Sequence, residues 1–304
     1  MQIFDLVIIG AGPAGITGAI YAARKKIDFI LVSEDLGGQT ALSADVENYT
    51  GYQFITGPDL AAKFEEHLKK FSIRFYRNEP VKRVVKANED EFAVESEKNS
   101  YACRSVLIAS GRRPRWLGVP GDQAFRNKGV SYCATCDGPL FSRKTVAVIG
   151  GGNSALDAAL QMMNIAVKVY LVNVNPVLGG DEVMRRKVES SPNVEVLNNA
   201  KTLEISGDRF VRGLKVDVAG QARELSVEGV FVEIGSVPNS EIVDFVDKNP
   251  SGEIIVDNLN RTSAPGVFAA GDVTNVPEKQ IIVAAGEGAK ALLGIFRYLS
   301  SRDR

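Results

Sequence analysis

One arrangement occurs twice in this sequence: an apolar stretch, a glycine-rich loop, a helix-like stretch and a second apolar stretch. In the first copy, residues 3–9 (IFDLVII) form a β-branched, apolar run that is typical of a buried parallel strand. The loop Gly10-Ala-Gly-Pro-Ala-Gly15 follows at once, and a helix then leads to a strand over 29–32. Glu34 lies 19 positions after Gly15, close to the spacing at which a dinucleotide-binding βαβ unit carries the acid for a ribose hydroxyl. The first copy therefore predicts such a unit.

The second copy begins 140 residues further along the chain. An apolar stretch over 145–149 precedes Gly150-Gly-Gly-Asn-Ser-Ala155, and a helix to about residue 164 leads to a strand over 167–172. A second element is repeated as well, because strands end in GxxP at 111–114 (GRRP) and again at 235–238 (GSVP). Two matched elements in each copy favour duplication over chance recurrence, so two nucleotide-binding domains are predicted.

The predicted fold class is α/β, with two Rossmann-like nucleotide-binding domains of which the second is inserted in the first. After the second copy, residues 266–272 are predicted to form a strand ending in Gly-Asp, and an amphipathic helix is predicted from Gln280 to about residue 300. A lone strand and helix cannot form a domain, so we expect them to complete the first sheet. The predicted domains are residues 1–113 with 242–304, and residues 114–241.

Size and charge narrow the classes of function. A chain of 304 residues is roughly two domains long. Its 36 Lys and Arg against 37 Asp and Glu leave a formal net charge of −1, without the positive excess of nucleic-acid or anionic-membrane binders. The apolar stretches are shorter than the roughly 20 residues that span a bilayer, and no signal-peptide pattern opens the chain. We expect a cytoplasmic protein that binds neither nucleic acid nor membrane.

The three cysteines are too few for a disulfide scaffold. Cys133-Ala-Thr-Cys136-Asp137 lies just before the second nucleotide-binding strand, where a CxxC pair indicates a redox disulfide, half a zinc site or coincidence. Zinc needs about two further ligands, and Cys103 and His67 are not suitably spaced, so no metal site is predicted. A redox dithiol is favoured, with Asp137 as proton donor or acceptor, or as a helix-capping carboxylate. Cys103 is expected to be a structural thiol, and His67 a solvated helix residue.

Together, these motifs resemble those of the low-molecular-weight flavoprotein thioredoxin reductases and of the flavoprotein subunit of alkyl hydroperoxide reductase. The resemblance covers essentially the whole chain and includes both glycine-rich loops, Gly37-Gly-Gln39, Glu47-Asn-Tyr49, 133–141, Gly271-Asp272 and 276–290. It implies that FAD binds in the first domain. The residues that it assigns to FAD are Gly10, Gly12, Pro13, Ala14, Gly15, Glu34, Gly38, Gln39, Asn48, Ala109, Gly111, Gly271, Asp272, Gln280 and Ile281.

The resemblance also implies a route for electrons, from a nicotinamide cofactor through FAD and the Cys133-Cys136 disulfide to the disulfide of another protein. It makes Cys136 the flavin-facing sulfur, Cys133 the thiol that attacks the partner, and Asp137 the acid. Because the first nucleotide-binding strand begins at residue 3, we expect no thioredoxin-like module ahead of it. The expected acceptor is therefore a separate thioredoxin or glutaredoxin-like protein, and a homodimer is expected because family members are usually homodimers.

The predicted nicotinamide-binding domain departs from the family pattern. NADPH-dependent members carry a histidine and arginines after the second strand of this domain, whereas residues 171–180 (LVNVNPVLGG) hold no positive charge. We interpret 185–187 (RRK) as a solvated helix face, so NADH is predicted in preference to NADPH. Two alternatives stay open: the electron donor is a protein such as ferredoxin, or the chain is a redox-responsive flavoprotein without steady turnover. The residues assigned to the nicotinamide cofactor are Gly150, Gly152, Asn153, Ser154, Ala155, Gly235 and Asn173, the last at the position of an NAD-type acid.

Overall fold

The computed structural model describes residues 2–43, 45–46, 48–132 and 134–302, and for residues 42, 45, 135 and 136 it describes the backbone alone. The chain forms two compact units, the first comprising residues 1–113 and 237–304 and the second residues 114–236. The chain thus returns to the first unit at 237, not at the predicted 242. The reason is Asn239, whose backbone N–H donates to the carbonyl oxygen of Gly111 (2.9 Å) and whose Nδ2 donates to that of Ser110 (2.8 Å).

The first segment of the chain supplies most of the first unit. Its elements are β1 (Ile3–Phe4), β2 (Leu6–Ile9), α1 (Pro13–Lys25), β3 (Phe29–Val32), a 3₁₀ turn (Gly38–Leu42), β4 (Asp45–Val46), β5 (Ile55–Thr56), α2 (Gly57–Leu68), β6 (Arg74–Tyr76), β7 (Val81–Lys86), β8 (Phe92–Ser96), β9 (Ser100–Cys103), β10 (Val106–Ile108) and β11 (Arg112–Pro114).

The second unit and the returning segment follow. The second unit begins with β12 (Val130–Ser131), α3 (Ala134–Asp137), a 3₁₀ turn (Gly138–Phe141), β13 (Thr145–Ile149), α4 (Asn153–Met163), β14 (Lys168–Val172) and α5 (Glu182–Glu189). It continues with β15 (Val194–Leu197), β16 (Ala200–Gly207), β17 (Val211–Val218), β18 (Gln221–Ser226), β19 (Gly229–Val232) and β20 (Ser236–Pro238), which leads back to the first unit. The last elements are β21 (Val267–Ala269) and α6 (Ile281–Arg302).

A parallel sheet in the order β21-β10-β2-β3-β6 forms the centre of the first unit. Side chains alternate between the faces of a strand, so Leu6 and Ile8 pack with residues of α1 and α6, whereas Val7 and Ile9 pack with residues of β7 and β8. The strands β7 and β8 belong to a second sheet, in the order β1-β9-β8-β7. Because both faces of the parallel sheet are covered, its strands β2, β3, β10 and β21 are apolar throughout.

The second unit also has three layers: helices, a parallel sheet and an antiparallel sheet. Its parallel sheet has the order β12-β19-β13-β14-β15. Val146 and Val148 pack with residues of α4, while Ala147 and Ile149 pack with residues of the antiparallel sheet β16-β17-β18. The predicted α/β class with two Rossmann-like units, the second inserted in the first, is confirmed.

One predicted strand is in fact two strands in different sheets. Residues 3–9 break at Asp5, so that β1 pairs with β9 while β2 pairs with β10 and β3. The backbone N–H of Asp5 donates to the carbonyl oxygen of Asp28 (2.9 Å), and its carboxylate accepts from Arg104 (2.9 Å). An apolar run does not reveal such a change of sheet, because apolar residues continue on both sides of Asp5.

Two residues outside the predicted chemistry lie where the sequence placed them. His67 is exposed on α2, and Cys103 is buried at the end of β9. Burial raises the pKa of the Cys103 thiol to about 12, so it stays protonated and unreactive at neutral pH.

Across the described residues, the helices lack the combination of length and apolar character that crossing a membrane requires.

The helices α1 and α6 pack so closely that a methyl group does not fit between them at one point. A Cβ on Gly288 would lie 2.0 Å from the carbonyl oxygen of Ala14, whereas a Cβ on Gly286 would meet no atom of the described residues within 4 Å. Ala14 lies in the first turn of α1, so Gly288 determines how near α6 comes to the loop before that helix.

Gly288→Ala is expected to lower the free energy of unfolding by about 1–3 kcal/mol, because the methyl group must push α6 away from α1. Gly286→Ala, on the exposed side of the same helix, is expected to raise it by up to about 1 kcal/mol, since alanine favours a helix over glycine. Urea unfolding of both variants beside the unaltered protein measures the two effects. Equal effects would contradict the close packing at Gly288.

Candidate active site

The first glycine-rich loop joins β2 to α1. Gly10 has a φ of +97°, and a Cβ there would lie 2.3 Å from the carbonyl oxygen of Ala109. A Cβ on Gly15 would lie 1.8 Å from the carbonyl oxygen of Gly10. Gly12 is different, because its φ of −79° suits any residue and a Cβ there would meet no described atom within 4 Å. Two glycines thus let the backbone pass closely, and the third leaves open space beside α1.

The open space at Gly12 adjoins the first turn of α1. Pro13 begins the helix and has no N–H that needs a partner. The other N–H groups of a first helical turn lack partners within the helix, and with the helix dipole they form a site for phosphate. The cradle therefore fits the pyrophosphate of a dinucleotide such as FAD.

Two residues after β3 have different roles in this loop. Ser33 is buried, and its Oγ accepts a hydrogen bond from the N–H of Ala11 (3.0 Å). Glu34 is exposed at the carboxyl end of the sheet, and its contact with a ribose hydroxyl stays a prediction. The support from Ser33 was missed in the sequence, although a polar residue ending an apolar strand is a signal for it.

Residues predicted from distant parts of the chain to bind FAD meet in the first unit. The Nδ2 of Asn48 donates to Oε1 of Gln280 at 3.0 Å, across 232 positions of sequence. The Nε2 of Gln39 donates to the carbonyl oxygen of Arg112 at 2.8 Å. Helix α6 begins at Ile281, so the predicted helix N-terminus follows Gln280 directly.

Of the other residues assigned to FAD, Gly38 begins the 3₁₀ turn after β3, and the next three follow the carboxyl ends of β10 and β21. Ala109 directly follows β10 and is buried. Gly111 has a φ of +66°, and a Cβ there would meet nothing within 4 Å among the residues described. Gly271 has a φ of +77° and lies close to α1, since its Cβ would be 3.1 Å from Cβ of Ala14.

A cluster of charges beside Asp272 was not predicted. Glu253 pairs with Arg112 (2.6 Å) and with Lys279 (3.1 Å). Burial raises the pKa of Asp272, while the positive charges of Lys279 and Arg112 oppose that rise. These residues share no spacing in the sequence, so only their proximity in the fold reveals the cluster.

The second glycine-rich loop, between β13 and α4, repeats the first. Gly150 has a φ of +143°, and a Cβ there would lie 2.2 Å from the carbonyl oxygen of Glu233. Gly152 faces open space, since a Cβ would meet no atom within 4 Å in the described chain, and so does Gly235. Ala155 is buried, and Asn153 and Ser154 are exposed in the first turn of α4. This cradle also fits a pyrophosphate.

The two loops share their hydrogen-bond register with the following strands. The N–H of Gly10 donates to the carbonyl oxygen of Val32, and the N–H of Gly150 donates to that of Val172, each at 2.9 Å. The residues directly after the two strands are therefore equivalent, so Asn173 in the second unit corresponds to Ser33 in the first. The next position, held by Glu34 in the first unit, is held by Val174 in the second.

Asn173 is buried under the second loop. Its Nδ2 donates to the carbonyl oxygen of Asn175 (3.1 Å) and to Oδ1 of Asn198 (2.8 Å), and its Oδ1 accepts from the N–H of Asn175 (3.1 Å). Both amide hydrogens are thus used inside the unit. The predicted contact of Asn173 with a ribose hydroxyl therefore stays a prediction, and it would have to use the side-chain oxygen.

A Gly-Gly turn lies over each glycine-rich loop. The N–H of Gly37 donates to the carbonyl oxygen of Ala11, and the N–H of Gly179 donates to that of Gly151, each at 2.7 Å. This third repeated element was missed because Gly37 follows Gly10 by 27 positions and Gly179 follows Gly150 by 29. In the second unit the turn is held further by Asn153, whose Oδ1 accepts from the N–H of Asp181 (2.7 Å).

The basic cluster on α5 is not uniformly solvated. Arg186 is exposed and pairs with Glu182, and Lys187 is exposed. Arg185 is partly buried, and its Nη1 donates to the carbonyl oxygen of Leu178 (3.2 Å). Its Nε is buried without a hydrogen-bond partner in the described part of the chain. The interpretation of a solvated face is therefore wrong for Arg185, which borders the Gly-Gly turn.

The CxxC segment is described in part. Cys133 lies outside the described residues, as does the side chain of Cys136. The backbone over Ala134–Asp137 is helical, and Asp137 is partly exposed at its end. The 3₁₀ turn that follows brings Phe141 against Phe231, with ring centroids 5.2 Å apart. Among the described side chains, no three His, Cys, Asp or Glu are grouped to hold a metal ion.

Known proteins of similar sequence belong to a family of this architecture. The model of the pyridine nucleotide-disulphide oxidoreductase family matches residues 4–288. The chain is 45% identical to an NADH dehydrogenase of Bacillus subtilis (97% of this chain, 58% of that one). It is 43% identical to an alkyl hydroperoxide reductase subunit of Pseudomonas aeruginosa, with the same coverage. The chain thus spans less than three fifths of the length of these relatives.

Solved structures agree with the sequence relatives. A thioredoxin reductase of Lactococcus lactis superimposes with a TM-score of 0.88 at 32% identity, over 98% of this chain and 99% of that one. A ferredoxin-flavin thioredoxin reductase of Clostridium acetobutylicum gives a TM-score of 0.57 at 32% identity, over 100% and 99%.

The resemblance inferred from the motifs is confirmed. The family implies FAD and a pyridine nucleotide as cofactors, and the two open cradles at Gly12 and Gly152 fit the pyrophosphates of such dinucleotides. With two Rossmann-like units of one design and a family match over most of its length, this chain belongs to the pyridine nucleotide-disulphide oxidoreductase family.

Proposed function

We propose that this chain passes electrons from a reduced nicotinamide cofactor, through FAD and the pair Cys133 and Cys136, to the disulfide of a thioredoxin or glutaredoxin-like protein. The observation that carries the proposal is the presence of two nucleotide cradles of one design, with a CxxC segment in the second unit. FAD, when bound, supplies the two-electron transfer between nicotinamide and disulfide. Overall, NAD(P)H, a proton and a disulfide give NAD(P)⁺ and a dithiol.

In the first unit the chain binds and orients FAD. The N–H groups beside Gly12 hold the pyrophosphate, and Glu34 accepts from a ribose hydroxyl. Asn48 and Gln280, already joined by a hydrogen bond, are assigned to the flavin end. Asp272 keeps its place near Lys279 and Arg112, whose charges offset its own.

In the second unit the dithiol acts on the partner. The Cys133 thiolate attacks one sulfur of the partner disulfide, so that a mixed disulfide forms and the other partner sulfur leaves as a thiolate. Asp137 supplies the proton for that sulfur. Cys136 then displaces the second partner sulfur, which restores the Cys133-Cys136 disulfide and releases the partner as a dithiol.

NADH is the proposed donor. A 2′-phosphate needs a cation, and residues 171–180 contain none. Val174 stands where the first unit has Glu34, and its exposed fraction is 65%. In the nearest basic cluster, Arg185 donates to the carbonyl oxygen of Leu178, and Arg186 forms an exposed ion pair with Glu182.

We expect kcat/KM for NADH to exceed that for NADPH by at least tenfold, which is about 1.4 kcal/mol. Anaerobic stopped-flow measurement of the flavin absorbance, with each nucleotide in turn, tests this. Arg185→Ala should leave the preference unchanged, and Arg186→Ala serves as the exposed control on the same helix. If NADPH is preferred, and if Arg185→Ala alone removes that preference, Arg185 is a phosphate clamp and the proposal of NADH fails.

A protein donor such as ferredoxin is the second candidate. Exposed valines near the second cradle favour it, because Val174, Val177 and Val183 offer no hydrogen bond to a nucleotide. The structural neighbour from Clostridium acetobutylicum, a ferredoxin-flavin thioredoxin reductase, supports it as well. If neither nucleotide bleaches the flavin within seconds while reduced ferredoxin does, the donor is a protein.

Two further parts of the proposal rest on the family resemblance and composition alone. We propose a homodimer, which sedimentation at micromolar concentration tests. We also propose a cytoplasmic location, which fractionation of the source cells tests.

A further inference from the structure

Glu253 connects two segments of the first unit that are assigned to FAD. Its Oε1 accepts from Nη1 of Arg112 at 2.6 Å and lies 3.1 Å from Nζ of Lys279. The carbonyl oxygen of Arg112 accepts from Nε2 of Gln39 at 2.8 Å. Lys279 directly precedes Gln280 in the chain. One carboxylate, which no motif singled out, thus holds a cation next to each of two residues predicted to lie beside the flavin.

A short turn fixes the Glu253 carboxylate in place. Oδ1 of Asn249 accepts from the N–H of Glu253 (2.9 Å), and Nδ2 of Asn249 donates to Oε2 of Glu253 (2.7 Å). The next residue, Ile254, is fully buried, and its N–H donates to the carbonyl oxygen of Val273 (2.9 Å). Both carboxylate oxygens are therefore occupied, and the backbone that carries them is joined to the residue after Asp272.

The Glu253 cluster is largely shielded from water, unlike a similar pair one residue further along the chain. The exposed fractions of the Arg112 and Glu253 side chains are 14% and 16%. Arg113 pairs with Glu241 at 2.7 Å, and there the exposed fractions are 42% and 59%. Charges shielded from water act more strongly on their surroundings than exposed ones. A change of charge at Glu253 should therefore have a much larger effect than one at Glu241.

The positive charges of this cluster also act on Asp272, which is assigned to FAD. Burial raises the pKa of Asp272, and the charges of Lys279 and Arg112 oppose that rise. Burial alone would raise the pKa of Glu253 as well, but hydrogen bonds from Asn249 and from the two cations outweigh it and lower the pKa. At neutral pH Glu253 is therefore an anion, and it offsets one of the two positive charges.

We propose that Glu253 is a positioning residue of the flavin site, which holds Arg112 and Lys279 in place and limits the positive charge that stabilises reduced flavin. The inference rests on the proposed function, since it concerns the FAD of the first unit. A flavin gains negative charge when it is reduced, so nearby cations favour the reduced form and a nearby anion disfavours it. Glu253 therefore lowers the midpoint potential of the flavin, which makes reduced flavin a stronger electron donor to the disulfide.

Two substitutions of Glu253 separate its charge from its packing. Glu253→Gln removes the charge and keeps the size of the side chain, whereas Glu253→Asp keeps the charge. Lys279→Gln removes one cation and should act in the opposite direction. Glu241→Gln, in the exposed pair with Arg113, is the matched control. Each is made in the full-length chain with both cysteines of the CxxC segment replaced by serine, so that the flavin alone takes up electrons.

The midpoint potential of the bound flavin is measured anaerobically at neutral pH against reference dyes. In Glu253→Gln the equilibrium constant for two-electron reduction should rise about tenfold, which is about 30 mV. In Lys279→Gln it should fall. Glu253→Asp and Glu241→Gln should both match the chain that carries only the serine replacements.

An unchanged potential in Glu253→Gln overturns the inference, and so does an equal shift in Glu253→Asp, which would indicate packing and not charge. If Glu253→Gln releases its FAD, Lys279→Gln decides: a lower potential supports the inference, and an unchanged one overturns it. The measurement needs neither nicotinamide nor a redoxin, so it can succeed where the proposed donor or acceptor fails. A purified chain that binds no FAD would contradict the proposed function as well.

Discussion

Replacing Cys133 by serine is expected to lower kcat/KM for reduction of a thioredoxin disulfide by at least about 10³-fold. The attacking group in disulfide exchange is a thiolate, and a serine hydroxyl is not ionised near neutral pH. Bleaching of the flavin by its electron donor should remain, because that step precedes attack on the partner. Anaerobic stopped-flow absorbance and steady-state reduction of thioredoxin measure the two steps separately.

Cys103→Ala is the matched control for this substitution. Cys103 is buried and its thiol stays protonated, so its loss should change kcat/KM less than twofold. If Cys133→Ser reduced thioredoxin at the rate of the unaltered protein, the proposed electron route would be wrong. A redox-responsive flavoprotein without steady turnover would then be the better account.

Gly12→Ala is expected to abolish tight binding of FAD while leaving the fold intact. Its φ of −79° suits alanine, and a Cβ would meet no atom within 4 Å in the chain as described. The methyl group would instead occupy the open space at the start of α1, where we propose that the pyrophosphate accepts hydrogen bonds. Each hydrogen bond lost to a charged group costs about 1.5–3 kcal/mol, or roughly 10- to 100-fold in the dissociation constant of FAD.

Gly15→Ala separates binding from folding. A Cβ there would lie 1.8 Å from the carbonyl oxygen of Gly10, so the loop must move and the apo protein should lose about 1–3 kcal/mol of stability. Flavin retention after gel filtration and urea unfolding of the flavin-free proteins give the two readouts. Full retention of FAD by Gly12→Ala would rule out the cradle at Gly12 as the pyrophosphate site.

The glycines of the two loops, some facing backbone and some facing open space, illustrate what a sequence can and cannot predict. A glycine-rich loop after an apolar strand is a local pattern, and it correctly indicated both βαβ units. The pattern does not say which glycine faces backbone and which faces open space, because Ala109 and Glu233, whose carbonyl oxygens close the loops, lie about 80 to 100 positions away. The second Gly-Gly turn escaped notice because a two-residue insertion broke the spacing of the repeat.

By itself, the sequence determined the α/β class and the duplicated units, and it offered the redox pair and the residues of the first cradle as candidates. These depend on strand periodicity, on the conformational freedom of glycine and on short spacings, which survive in one dimension. Only the tertiary structure decided that both amide hydrogens of Asn173 are used inside the second unit, that Val174 takes the place of an acid, and that Glu253 joins Arg112 and Lys279 beside Asp272. Those roles arise from burial and from hydrogen bonds between residues that folding brings together, and such contacts leave no periodic trace in the chain.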